Sequence, residues 1–188
     1  FSVPVEQINK QQRRYAKILN YAVLYGVTDY GLANQLGGEF TTSQAKELIK
    51  NYFERFPKVR EYVQQTLAEA RSKGYTTTIT GRRRYFPDIH AGNRVARQYA
   101  ERQAMNAPLQ GSSADLIKVA MLRVDQRLKG AKTRMILQVH DELVFELADN
   151  EHDLLPELQQ LMANAIKLNV PVEVDVSVGP NWLEAKSG

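Results

Sequence analysis

His140, Asp141 and Glu142 stand between two runs of strand-forming residues in LQVHDELVFE, residues 137–146. Successive side chains of a strand point to opposite faces, so Asp141 and Glu142 cannot serve one site from a continuous strand. The triplet therefore reads as the tip of a hairpin. A carboxylate held there by a rigid sheet and open to solvent suits a divalent cation such as Mg2+, which takes oxygen ligands and retains waters. An acidic turn with a satisfied histidine fits the same three residues taken alone.

Two helical segments carry further polar faces. In the first, Tyr15, Ile18, Leu19 and Ala22 follow the spacing of a buried stripe, while Arg13, Lys17, Tyr21 and Tyr25 fall four apart on another side. At 1.5 Å per residue that second face runs roughly 18 Å, with cations at one end and aromatic rings at the other. The order matches a nucleoside triphosphate: phosphates on Arg13 and Lys17, base and sugar against Tyr21 and Tyr25. A merely wet helix face is the plainer alternative. In the second segment Arg102, Asn106 and Gln110 stand four apart around Pro108. Such donors suit the minor groove of DNA, where every base pair offers a purine N3 or pyrimidine O2 acceptor. Capping and inter-helix bonds around the proline suit them nearly as well.

The elements that must position these residues follow from local signals. Residues 5–25 read as a helix stopped by Gly26, and residues 28–36 as a short second one before Gly37-Gly38. Thr42-Ser43 caps a helix through Phe56, and helix resumes after Pro57 as far as Lys73-Gly74. Residues 75–80 are strand-like, Thr80-Gly81 is a turn, and the basic run 82–84 leads into a loop at Pro87. Residues 94–128 are helical, with a kink or two abutting helices expected at Pro108. A hairpin over 134–147, a helix over 151–168 and an alternating strand within 170–178 complete an α+β chain.

The chain has 188 residues, 43% of them hydrophobic, enough for one ordinary core or two lobes. It lacks cysteine, which excludes disulfide staples and thiolate metal sites. No apolar run approaches a membrane span and the N-terminal residues lack a signal pattern, so the chain is read as cytoplasmic with no membrane partner. Net charge is +4, yet residues 10–17 and 82–102 each carry +4, leaving −4 for the remainder. Two cationic surfaces on an acidic body point to a polyanion.

The segment RRYAKILNYAVLYG resembles the fingers-helix motif of family A DNA polymerases, the bacterial DNA polymerase I type, and LQVHDELVFE resembles their palm hairpin. GRRRYFPD, ERQAMNAPLQGSSADLIK and the closing VGPNW are similar to the same family in the same order, so the resemblance covers essentially the whole chain. It implies a right-hand polymerase fold, here helical fingers over residues 1–73 and the C-terminal half of the palm over 74–188, including a strand at 172–178. It implies template-directed addition of dNTPs to a primer 3′ end, in DNA replication and repair.

Residue by residue, the resemblance implies that Arg13 and Lys17 bind the incoming triphosphate, Lys17 also serving as a proton donor to pyrophosphate. Tyr21 would stack near sugar and base, and Tyr25 would guard the templating position. Arg102, Asn106 and Gln110 would contact primer-template DNA, and His140 the primer end or its backbone. Asp141 would ligate the catalytic metals with Glu142 in support. Tyr21 stands where many members carry Phe, which implies weaker rejection of nucleotides lacking a 3′ hydroxyl. Ala22 stands where Gly is common.

Two-metal phosphoryl transfer needs carboxylates that hold both ions about 3.5 to 4 Å apart, and one aspartate at a hairpin tip is insufficient. The family's second carboxylate comes from an Asp-Tyr-Ser-type palm strand upstream of the fingers helix. Asp29-Tyr30 lies after that helix in a helix-start context and is rejected as that strand. The chain is thus expected to need an N-terminal polymerase segment with palm strand and thumb, its own C-terminus being complete to within a few residues, and to be inactive alone. It is also expected to be marginally stable or to self-associate through an exposed sheet. The rival expectation is a free-standing nucleic-acid or nucleotide-binding module without turnover.

Overall fold

The computed structural model describes residues 4–186, which fall into two compact units divided in sequence between Gly111 and Ser112. Helices dominate, and the sheet content is two separate antiparallel hairpins. The α+β class read from the sequence holds.

The first unit opens with a short 3-10 helix, Val5–Gln7, and α1 (Lys10–Leu24). The helix expected over 5–25 is therefore divided. Asn9 divides it, because its side chain accepts the Gln12 amide at 2.8 Å while Gln12 accepts the Asn9 amide at 3.0 Å. This reciprocal box satisfies two of the end's four orphan donors and fixes where α1 begins. α2 (Asp29–Gln35) is capped by Thr28, and Asp29 and Tyr30 form its first turn as expected. Gly37 and Gly38, both at positive φ, end that region.

α3 (Thr42–Arg55) is capped one residue earlier than expected, by Thr41, which pairs reciprocally with Gln44. α4 (Pro57–Lys73) begins on a proline, whose missing N–H costs nothing at the first helical position, and ends on Gly74 at φ 76°. Ala22, Leu32, Ala33, Leu36 and Ala45 close a core between α1, α2 and α3, with Tyr15, Ile18 and Leu19 packed against it. The Ala22 methyl is 1% exposed and fills this core.

Beyond Gly74, β1 (Tyr75–Thr77) pairs with β2 (Arg83–Tyr85). The strand expected over 75–80 thus stops early, and the basic run, read only as leading into a loop, lies partly in a strand. The turn explains both: the Thr78 amide donates to the Arg82 carbonyl at 2.9 Å, and Gly81 takes φ 85°. Arg83 then lies 4.7 Å over the Tyr75 ring. After a 3-10 helix at Pro87–His90, α5 (Arg94–Arg127) runs unbroken through Pro108. Of the two outcomes expected there, a kink or two abutting helices, the second does not occur. Ala100, Ala104 and Ala107 pack with Ala70, Phe86 and Ile89 in one buried cluster, and this tertiary packing offsets the donor that proline removes.

In the second unit β3 (Arg134–Val139) and β4 (Glu142–Glu146) form the expected hairpin, with a register shift between Met135 and Leu137. An ion pair, Arg134 Nη2 to Glu146 Oε2 at 2.6 Å, closes its open end. Met135 and Phe145 pack on a core of Val124, Leu128, Leu154 and Leu158. The helix expected over 151–168 is shorter, a 3-10 turn at His152–Leu154 followed by α6 (Leu155–Ala163).

The strand expected within 170–178, and specifically at 172–178, is absent. Its alternation survives only as half-buried Val172 and Val174 between exposed neighbours. A strand requires a ladder partner, and none pairs with this segment among the described residues; Gln159 Nε2 instead donates to the Val174 carbonyl at 2.5 Å. A last single turn, α7 (Trp182–Ala185), follows.

Candidate nucleotide and nucleic-acid surfaces

α1 separates its residues as its period dictates. Tyr15, Ile18, Leu19 and Ala22 face the core, and Arg13, Lys17, Tyr21 and Tyr25 are all exposed. The rings of Tyr21 and Tyr25 stack at 6.1 Å and 17°, although they are 59% and 38% exposed. Neither Arg13 nor Lys17 makes an ion pair among the described residues. One helix face therefore offers two uncommitted cations followed by an aromatic platform. Next to this face, Tyr15 donates to the Glu39 carboxylate; that bond holds the phenol proton and moves its pKa above the ordinary tyrosine value.

Gly26 ends α1 at φ 62°, and a β-carbon there would lie 2.1 Å from Met105 Cε and 3.4 Å from Arg102 Cγ. The end of the aromatic face is thereby brought against the α5 residues that carry the second polar face. On α5, Arg102 and Asn106 each stand two residues on from a buried alanine, Ala100 and Ala104, about 200° round the axis from it, and Gln110 follows one turn further along. Asn106 has a buried Oδ1 with no hydrogen-bond partner. A buried acceptor without a donor costs about 1–3 kcal/mol, so a ligand donor at that point would be favoured.

The β1–β2 turn locks onto the same helix. Arg82 Nη2 donates to the Gly111 carbonyl at 3.1 Å, and a β-carbon on Gly111 would overlap Thr78 Cγ2 at 2.5 Å. The sequence presented Arg82 only as one member of a basic run; its contact with Gly111 depends on the hairpin that the run forms.

At the tip of the β3–β4 hairpin, Val139 pairs with Glu142, leaving His140 and Asp141 as a two-residue turn. His140 has φ 54° and is the one non-glycine residue at positive φ among the described residues. Its carbonyl accepts from Gln138 Nε2 at 2.5 Å. A residue with a β-carbon in the left-handed region stores strain, and such strain concentrates at functional sites. Asp141 is exposed; Glu142 is engaged, with Oε1 2.9 Å from Lys186 Nζ and Oε2 buried without a partner.

These donors do not make a two-metal site on this chain. No group of three or more His, Asp or Glu residues that could hold a metal ion occurs among the described residues, and the Lys186 ammonium already occupies one oxygen of Glu142. Asp141 is the single uncommitted acid of the tip.

The chain belongs to DNA polymerase family A, whose profile matches residues 1–184. It is 47% identical to DNA polymerase I of Mycobacterium leprae over 185 residues, 97% of this chain and 20% of that protein. Against the thermostable DNA polymerase I of Thermus filiformis the identity is 43% over 187 residues, 99% of this chain and 22% of that one. A solved structure, the POL domain of Pol1 from M. smegmatis in complex with DNA primer-template and dNTP, superposes with a TM-score of 0.94 at 46% identity, covering 99% of this chain and 33% of that one. The chain thus spans about a fifth of the length of the curated relatives it matches. No helix among the described residues is long and apolar enough to cross a membrane.

Proposed function

We propose that this chain supplies the fingers helices and part of the palm of a DNA-directed DNA polymerase, taking a dNTP on α1 and primer-template DNA on α5 and the hairpin tip. The observation that carries this reading is the continuous α1 face, two uncommitted cations followed by the exposed, stacked Tyr21–Tyr25 pair. Its order of charge and ring is that of a nucleoside triphosphate, and the solved relative at 46% identity is described in complex with DNA primer-template and dNTP.

Arg13 and Lys17 bind the phosphates through charge-assisted bonds, with Lys17 placed to hand a proton to pyrophosphate. Tyr21 stacks beside the sugar and base, and Tyr25 borders the templating position. Arg102, Asn106 and Gln110 donate to groove acceptors, while His140 meets the primer end. Asp141 would be a ligand of the catalytic Mg2+, which when bound would stabilise charge on the transferring phosphoryl group.

Asp141 alone cannot hold two ions, so this 188-residue stretch by itself binds without turnover, and synthesis requires a further polypeptide segment that supplies another carboxylate-bearing palm strand and a thumb. Both edges of the β3–β4 hairpin lack further strands among the described residues, and Ile136 and Leu137 are exposed, which favours self-association of the isolated chain.

The test is primer extension with dNTPs and Mg2+, with and without such a complementing polypeptide. Extension restored by the complement and abolished by Asp141→Ala supports the polymerase reading. Duplex and dNTP binding with no complement that restores synthesis favours a binding module. Robust, Asp141-dependent extension by the chain alone contradicts its proposed inactivity.

A further inference from the structure

The β1–β2 hairpin has two faces of different character, and strand alternation assigns them. Thr76 and Arg84 pair across one face, where Thr76 is 1% exposed. Tyr75 pairs with Tyr85, and Thr77 with Arg83, across the other. Three of the four positions on that outer face are therefore aromatic or cationic. The hairpin is also anchored at both ends. At its open end the Phe86 amide donates to the Gly74 carbonyl at 2.9 Å, and beside its turn Arg82 Nη2 donates to the Gly111 carbonyl at 3.1 Å.

The three outer side chains touch one another. The rings of Tyr75 and Tyr85 lie 5.3 Å apart with their planes inclined at 58°. The Arg83 guanidinium stands 4.7 Å from the Tyr75 centroid and donates to the Tyr85 phenol. Arg83 has no carboxylate partner among the described residues, whereas the nearby cations Arg71 and Lys73 are paired with Glu101 and Glu69. Tyr85 is nevertheless 63% exposed. A cross-strand pair uses one flank of each ring, so stabilising the hairpin leaves most of the Tyr85 surface open.

An open ring beside a fixed, unpaired guanidinium has a specific complement. Any nucleobase offers a π face to the ring, and its strand supplies a phosphate to the cation. Bases inside a duplex are already stacked on both sides, so only an unpaired strand can lay a base on Tyr85. An acidic peptide would satisfy Arg83 and leave the ring without a partner. We propose that the outer face of the β1–β2 hairpin is a stacking platform for single-stranded DNA, with a base on Tyr85 and an adjoining phosphate on Arg83. None of its residues belongs to the α1 or α5 faces, and the inference rests on the polymerase reading only in choosing DNA over RNA.

The test is fluorescence anisotropy of a labelled oligodeoxythymidylate titrated with the whole chain. Tyr85→Leu, which keeps an apolar side chain but removes the π face, lowers affinity roughly fivefold to a hundredfold, and Tyr85→Phe restores most of it. Arg83→Gln weakens binding and makes the log–log salt slope shallower by about 0.7, the value for one single-strand phosphate. A strand carrying bromouracil crosslinks on irradiation to the peptide that contains Tyr85. Unchanged affinity in Tyr85→Leu, an unaltered slope in Arg83→Gln, or no crosslink would overturn the proposal. So would an equal Tyr85→Leu loss with blunt duplex or oligoglutamate, which would assign the face to that ligand instead. Thermal unfolding checks that each variant is folded; if Tyr85→Leu is not, the Arg83→Gln slope and the crosslink decide. Blunt-duplex and dNTP titrations of the same samples read the α5 and α1 faces separately, so failure of the polymerase reading is distinguishable from failure of this one.

Discussion

Gly26 lies against Met105: a β-carbon on the glycine would come within 2.1 Å of Met105 Cε, at a residue whose φ is 62°. Two physical costs thus coincide at one position. The methyl is the far end of a flexible side chain and can move, whereas the left-handed backbone cannot be relieved without unwinding the end of α1.

Gly26→Ala is therefore expected to lower unfolding free energy by about 1–2 kcal/mol through backbone strain. In urea denaturation, adding Met105→Ala lowers stability further, since it deletes a buried side chain. Recovery in the double variant would mean that overlap, and not φ, sets the cost.

Gly111→Ala places a methyl 2.5 Å from Thr78 Cγ2. Alanine is favoured over glycine in a helix by about 1 kcal/mol, but Thr78 is held by its amide bond to the Arg82 carbonyl at 2.9 Å and by the Arg82 amide on its hydroxyl at 3.2 Å. Overpacking against such a fixed neighbour costs about 1–3 kcal/mol, so the single variant melts lower than wild type. Thr78→Ser removes Cγ2 and keeps the hydroxyl. In that background Gly111→Ala should raise the melting temperature, and a drop instead would show that the overlap is not with the threonine methyl.

His140→Gly relieves the strain of φ 54° but gives the unfolded chain more freedom to lose. Strain of about 1–3 kcal/mol against an entropy cost of about 0.5–1 leaves a net gain near 1 kcal/mol. The same variant loses affinity for primer-template DNA. A less stable protein in thermal unfolding would refute the strain argument, and unchanged DNA affinity would remove His140 from the interface.

Arg13→Ala and Lys17→Ala each remove a charge-assisted bond worth about 1.5–3 kcal/mol, equivalent to roughly tenfold to a hundredfold in dNTP affinity. Affinity for the unphosphorylated nucleoside stays as it was. Tyr21→Ala weakens nucleoside and triphosphate alike, because the ring serves both. Equal loss of nucleoside binding in Arg13→Ala, measured by calorimetry, would contradict the phosphate assignment.

Glu151 accepts the Lys132 amide at 3.0 Å and the Thr133 amide at 2.8 Å, and these bonds, the first of them above all, hold its carboxyl below the usual glutamate range. A depressed folded pKa means that the stabilisation is complete above the unfolded-state pKa and fades as pH falls through the folded one. The melting temperature of the second unit therefore falls on acidification in wild type and falls less in Glu151→Gln. Parallel pH profiles for the two proteins would show that the carboxylate is not responsible.

Much of the candidate site is legible in the chain because helical and strand periods are local properties. The split of α1 into a core face with Ile18 and Leu19 and an outer face with Lys17 and Tyr21 follows from spacing alone, and a hairpin tip at His140-Asp141-Glu142 from two flanking strand runs, although Glu142 itself pairs with Val139 as the first residue of β4. Residues 170–178 show the limit of the same logic. Their alternation is that of a strand, yet strand structure depends on a partner and none is paired here among the described residues. The reverse holds for Arg83 and Arg84, which have no strand signature and are drawn into β2 by pairing with β1.

The sequence by itself determined the polar and apolar faces, the family resemblance and the acidic tip, since residue type and spacing set each of them. The tertiary structure alone decided which partners those residues take. Gly26 meets Met105, Arg82 reaches the Gly111 carbonyl, and Glu142 is occupied by Lys186. Such contacts join residues far apart in the chain, and no periodicity records them, because they exist only once the elements have packed.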